Sequence, residues 1–80
     1  MTSNEIFSTR LAALRKERKL SLPALGDILS ISSQAVSQFE KGGDMPSFDN
    51  LVALADYFNV SLDWLTGRSE RRELWVERKK

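Results

Sequence analysis

The 80-residue chain has no cysteine, which removes disulfide staples, thiolate nucleophiles and thiolate metal ligands. It has no histidine either, so the commonest metal ligand and general base is missing. No apolar run approaches the roughly 18 residues of a membrane-spanning helix, and no signal peptide opens the chain. The expectation is a soluble, cytoplasmic protein with no membrane partner. A glycine-rich phosphate loop is also lacking, and a chain this short leaves little room for a substrate pocket. Asp56 and Asp63 are the only loosely grouped carboxylates, and capping and solvation account for them. Nothing has metal-ligand spacing. Neither enzymatic activity nor a metal or other cofactor is expected.

A strong excess of one charge is lacking as well. The net charge is +1, which does not by itself announce a nucleic-acid binder. Its distribution says more: residues 1–67 carry six basic and eight acidic side chains, and residues 68–80 carry six basic and three acidic. Phosphate affinity depends on local cations, so the body is thinly equipped and the tail is basic.

What is present is a 41% hydrophobic chain, suited to one small domain, organised around Leu22 to Lys41. That stretch reads as a short helix, a turn at Leu29–Ser30–Ile31, and a second helix capped by Ser32. Val36 and Phe39 sit three apart and point into a core; Ser33, Gln34, Ser37, Gln38 and Lys41 share the opposite face. A bland solvent face is usually built from Lys and Glu. This one offers two amides, two small hydroxyls and a single cation. Glutamine suits bidentate pairing with the N6/N7 edge of adenine, and serine can donate or accept at almost any base edge. The competing reading is a mildly polar surface helix.

The stretch resembles the helix-turn-helix of the Cro/cI-type (XRE-like, lambda-repressor-like) DNA-binding domains. The matching residues are Leu25, Leu29, Ile31–Ser32, Val36–Ser37, Phe39–Glu40–Lys41–Gly42 and Pro46–Ser47. They continue through Leu51, Leu54–Ala55, Val60–Ser61 and Leu62–Asp63–Trp64–Leu65, so the resemblance covers roughly Phe7 to Gly67. It implies an all-α, five-helix domain with the helix-turn-helix at its second and third helices. It also implies Ser33, Gln34, Ser37 and Gln38 as base-reading residues, with Lys41 nearer the backbone. An Arg15–Glu40 pair tying the first helix to the third is a further implication.

Along the chain, Thr2 and Glu5 have capping-box spacing, and the first helix is expected from about Asn4 to Arg18 with Phe7, Leu11 and Leu14 as its apolar stripe. The run Arg15 to Lys19 ends it with positive charge, which suits the helix dipole; phosphate contact by Lys16, Arg18 or Lys19 is the second reading. Ser21 caps the second helix, with Pro23 in its first turn, and by the resemblance Ser21 is also expected to meet the DNA backbone. The third helix spans about Ser33 to Lys41 and stops at Gly42–Gly43. The fourth runs from about Phe48 to Phe58 behind Ser47, and the N–H groups beside Ser47 and Phe48 could hold a phosphate. Ser61 caps the fifth, in which Leu62 and Leu65 should be buried, and Gly67 stops it.

Four positions depart from the family pattern. Leu22 stands where a phosphate-contacting glutamine is common, and Asp44 where Lys or Arg is common. Gly26 replaces the usual alanine, and Ser30 replaces the glycine that takes a left-handed turn. Trp64 either closes the core or contributes to a dimer contact. Residues 1–67 are thus expected to form the DNA-binding domain, and 68–80 a basic tail. In that tail Ser69 could cap a last helix with Leu74, Trp75 and Val76 as its apolar side. Self-association, packing back on the fifth helix and non-specific DNA affinity are the alternatives there. The expected function is sequence-specific binding of double-stranded DNA as a transcriptional regulator, a homodimeric repressor on a near-palindromic site. The rival is a helical protein-interaction module of antitoxin type, favoured by the acidic body, Leu22 and Asp44.

Overall fold

Hydroxyl side chains set where every helix begins. A computed structural model describes residues 2–73, and in it the chain forms α1 (Ser3–Glu17), α2 (Leu22–Leu29), α3 (Ser33–Glu40), α4 (Phe48–Phe58) and α5 (Leu62–Leu65). Thr2 opens α1 with a reciprocal capping box, its hydroxyl accepting from Glu5 N at 3.2 Å while its own N–H donates to Glu5 Oε1 at 2.8 Å. Ser21, Ser32, Ser47 and Ser61 each accept the N–H three residues on, at 3.1, 3.1, 3.2 and 2.8 Å. Each such cap contributes about 1 kcal/mol.

The helix ends are equally uniform. Lys19, Ser30, Gly42, Asn59 and Gly67 all have φ between 57° and 88°. The N–H of the residue after each returns to a carbonyl five residues back: Leu20 to Arg15, Ile31 to Gly26, Gly43 to Gln38, Val60 to Ala55 and Arg68 to Asp63. These Schellman closures satisfy carbonyls that would otherwise lack partners. Short connections follow: α2 packs on α3 and α4 on α5, while α1 packs across the chain on α3 and α5.

The core sits where the apolar stripes meet. Phe7, Leu11 and Leu14 of α1 are buried with Leu25 and Leu29 of α2, Val36 and Phe39 of α3, Leu54 and Phe58 of α4, Val60, and Leu65 of α5. Phe7 meets Phe39 edge-on at 6.4 Å, a favoured aromatic geometry. Leu51 and Leu62 are only partly covered and pack against the rim of this cluster. Among the described residues no helix is long and apolar enough to cross a membrane.

Of the readings open for the segment after Gly67, a helix capped by Ser69 is not the one taken by the described residues up to Glu73. The Ser69 hydroxyl accepts from Arg71 N at 3.0 Å in a bend. The chain then runs alongside the α4–α5 junction, where Ser61 N donates to Arg72 O at 2.9 Å and Glu73 bridges Val60 in antiparallel fashion. Long-range contacts impose this path. Arg10 of α1 donates to Ser69 O at 3.1 Å and to Trp64 O, and Arg72 pairs with Glu17 of α1. The half-buried Trp64 ring lies 4.6 Å from the Arg10 guanidinium carbon and 5.3 Å from that of Arg72, both at cation–π distance. The hydrogen bond from Arg72 lowers the Glu17 carboxyl below its ordinary pKa. Leu74, Trp75 and Val76 lie outside the described residues.

Candidate nucleic-acid interface

The roll of α3 is fixed by what it buries. Val36 is fully enclosed and Phe39 nearly so, which turns Gln34 and Gln38 outward on the opposite side and leaves Ser33 and Ser37 half-buried at its flanks. Gln34, Ser37, Gln38 and Lys41 line one open concavity of about 560 Å³ together with Ser32 and Ala35. Of the residues expected to read bases, only Ser33 stands outside that lining. Ala35 was not singled out in the sequence, where its helical position beside Gln34 was the available signal; its methyl lines the same concavity.

The C-terminal end of α3 is held from behind. Arg15 Nε lies 2.6 Å from Glu40 Oε2 and Arg15 Nη2 lies 3.0 Å from Glu40 Oε1, a bidentate pair between α1 and α3. Nη1 of the same guanidinium donates to Leu20 O at 2.8 Å. Both side chains are mostly covered, and the hydrogen bond to Glu40 raises the Arg15 pKa above its already high value. This is the contact implied by the resemblance, and it fixes the end of the helix two residues beyond Gln38.

Two further helix starts carry the expected backbone-contact residues. At α2, Pro23 has no N–H, and Ala24 N is taken by Ser21, which leaves the Leu22 N–H. At α4, Asn50 N is taken by Ser47, which leaves the N–H groups of Phe48 and Asp49. Phe48 itself is 69% exposed. The α4 start is therefore the richer in donors, with the Asp49 carboxylate in the same turn opposing an anion. The Ser21 and Ser47 hydroxyls each accept one bond as caps and retain a proton to donate.

The basic residues divide. Lys41 caps the end of α3 and is exposed within the concavity. Lys19 is exposed at the end of α1, two residues before Ser21. Arg18 is not brought to this surface: its guanidinium carbon sits 5.5 and 5.4 Å from the Tyr57 and Phe58 rings, and Nη2 donates to Phe58 O at 3.5 Å. That is the far end of α4 from Ser47, about 15 Å along the axis for an 11-residue helix. Trp64 lies within the Arg10–Arg72 stack described above, an intramolecular setting.

Against known proteins, the helix-turn-helix family model matches residues 11–65. The transcriptional regulator AnsR of Bacillus subtilis is 36% identical over 64 residues, covering 80% of this chain and 55% of its own. The cryptic phage CTXphi transcriptional repressor RstR of Vibrio cholerae is 35% identical over 74 residues, covering 89% of this chain and 66% of its own. The chain thus spans just over half to just under two thirds of these relatives. Among solved structures, the P22 c2 repressor in complex with a synthetic operator superposes with a TM-score of 0.74 at 33% identity, covering 80% of this chain and 97% of that one.

Proposed function

The chain belongs to the helix-turn-helix family, and on that premise we propose that it is a sequence-specific regulator of transcription that binds double-stranded DNA. In this reading α3 lies in the major groove, with Gln34, Gln38, Ser33 and Ser37 toward base edges. Lys41, Lys19, Ser21, Ser47 and the free N–H groups at Leu22, Phe48 and Asp49 meet the backbone and set the register. The observation that carries the proposal is the α3 surface: the Gln34 and Gln38 amides, turned outward by the burial of Val36 and Phe39, share one concavity with the Ser37 hydroxyl and Lys41.

Action as a repressor, and as a homodimer on a near-palindromic site with half-sites about 34 Å apart, completes the proposal. Two copies of α3 would offset the few cations on each. Residues 1–67 would carry the DNA-binding function, and the apolar Leu74–Trp75–Val76 triplet would supply self-association. The similarity to a repressor solved with its operator supports the DNA-binding part.

Selection from a random duplex pool, followed by titration of the enriched duplex, tests this reading. The expected result is an enriched palindrome. Gln34→Ala and Gln38→Ala should each lose about 1–3 kcal/mol on it and relax choice at one base pair. Variants that bind every sequence as well as the parent would remove the base-reading assignment.

A second reading, a protein-interaction module without specific DNA binding, is favoured by the acidic rim. Asp44 and Asp49 are exposed beside the α4 start, and Leu22 replaces a polar residue at the α2 start. Enrichment of no sequence, with only salt-sensitive weak binding, would be its result.

A further inference from the structure

Gln38 lines the concavity with its amide oxygen beside Gly43. A β-carbon placed on Gly43 would lie 2.6 Å from Gln38 Oε1, closer than real β-carbons approach anything. The next two atoms, Gln38 O and Cδ, stand at ordinary contact distances of 3.6 and 3.8 Å. The carboxamide oxygen therefore occupies the space that a side chain at position 43 would claim. Gly42 needs glycine for its backbone, with φ at 80°; Gly43 has no positive φ and its N–H donates to Gln38 O at 3.0 Å, which any residue but proline could do. The backbone does not require glycine at 43.

The contact also has a polarity. Gly43 presents a hydrogen where a β-carbon would be, and a Cα–H turned toward a carbonyl oxygen is a weak favourable contact. The amide NH2 would meet that same hydrogen with like polarity. Oε1 is accordingly the end held at Gly43, and Nε2 is the end turned away from it. Bidentate pairing with adenine needs both ends of a glutamine amide, whereas an amide with its oxygen held back offers donors alone, which suit the O6/N7 acceptor edge of guanine.

We infer that Gly43 is a specificity-determining residue, which by lacking a side chain lets the Gln38 amide turn its oxygen aside and present its donors to an acceptor edge. The inference rests on the reading above, that Gln38 faces a base. It assigns a positioning role to a loop glycine that touches no base itself.

Gly43→Ala is the test, with Gln38→Ala and the double variant alongside, each passed through the random-duplex selection. The displaced atom is the flexible end of a side chain, so Gly43→Ala should melt at the parent temperature. Preference at the base pair relaxed by Gln38→Ala should move about 5-fold or more toward adenine, other positions staying as in the parent. In the Gln38→Ala background, Gly43→Ala should change nothing further. In the free protein, nuclear magnetic resonance should show the Gln38 side-chain amide signals moving and those of Gln34 unmoved. If Gln38→Ala relaxes one base pair while Gly43→Ala leaves that pair unchanged, the inference is overturned and the base reading stands. If Gln38→Ala relaxes no position, both fall together.

Discussion

Ser30 holds φ 59° and ψ 42°, a left-handed conformation that a side chain disfavours. It is kept there because two hydrogen bonds close α2 through it, from Ser30 N to Asp27 O and from Ile31 N to Gly26 O. The turn cannot relax without losing them. Its neighbour across the turn is equally constrained: a β-carbon on Gly26 would lie 2.6 Å from Ile31 O, so an alanine there must push α2 and the turn apart. The two positions thus differ in kind, one straining a side chain it has and the other excluding one it lacks. Ser30→Gly should stabilise the domain by about 1 kcal/mol, the relief of a left-handed side chain less the added freedom of the unfolded glycine. Thermal unfolding should report this as a rise of roughly 4–8 °C. No change in the melting temperature would mean that Ser30 carries no net strain.

At the scale of the element, α3 is an eight-residue helix too short to be stable on its own propensity, so its orientation depends on what grips it. Val36 and Phe39 set its roll and the Arg15–Glu40 pair sets its end. Removing one partner leaves a mostly covered charge without its counterpart. Arg15→Ala should therefore cost about 2–4 kcal/mol in urea unfolding, between the figures for exposed and fully buried pairs. Replacing Arg15 and Glu40 together by methionine should cost clearly less than the two single changes summed. An additive double variant would show that the pair does not couple α1 to α3.

The elements that grip α3 also show what sequence can disclose. The caps at Ser21, Ser32, Ser47 and Ser61 were legible because each acts within three residues, and the inward face of α3 because helical spacing alone places Val36 opposite Gln34. The Arg15–Glu40 contact spans 25 residues and was reached only through the family resemblance. The path after Gly67 was not legible: it is set by Arg10, 59 residues from Ser69, and by Arg72, 55 residues from Glu17. Serine before a charged segment is a local cue for a cap, and it was overridden by contacts no local pattern encodes. The same distance hid Arg18, whose carbonyl partner Phe58 is 40 residues away.

For the whole molecule, these contacts redistribute a charge inventory that was already thin. Residues 1–67 hold six cations, and three of them have intramolecular work: Arg10 at Trp64, Ser69 and Glu70, Arg15 at Glu40, and Arg18 over the end of α4. Lys16, Lys19 and Lys41 are the exposed remainder. If the DNA-binding reading holds, the two bodies of a dimer can neutralise at most about six phosphates, four through Lys19 and Lys41 and two more if Lys16 joins them, and the logarithm of affinity should fall against the logarithm of salt with a slope no steeper than about −5.4. Removing Arg78, Lys79 and Lys80 should leave that slope unchanged while the enriched sequence stays the same. A slope nearer −10 that collapses on this truncation would move the phosphate contacts from the body to the tail. With so few mobile cations in the body, discrimination between sequences has to come from the hydrogen bonds of the α3 face, where it survives salt that weakens non-specific binding. The ratio of specific to random-duplex affinity should accordingly rise, not fall, between about 50 and 200 mM salt.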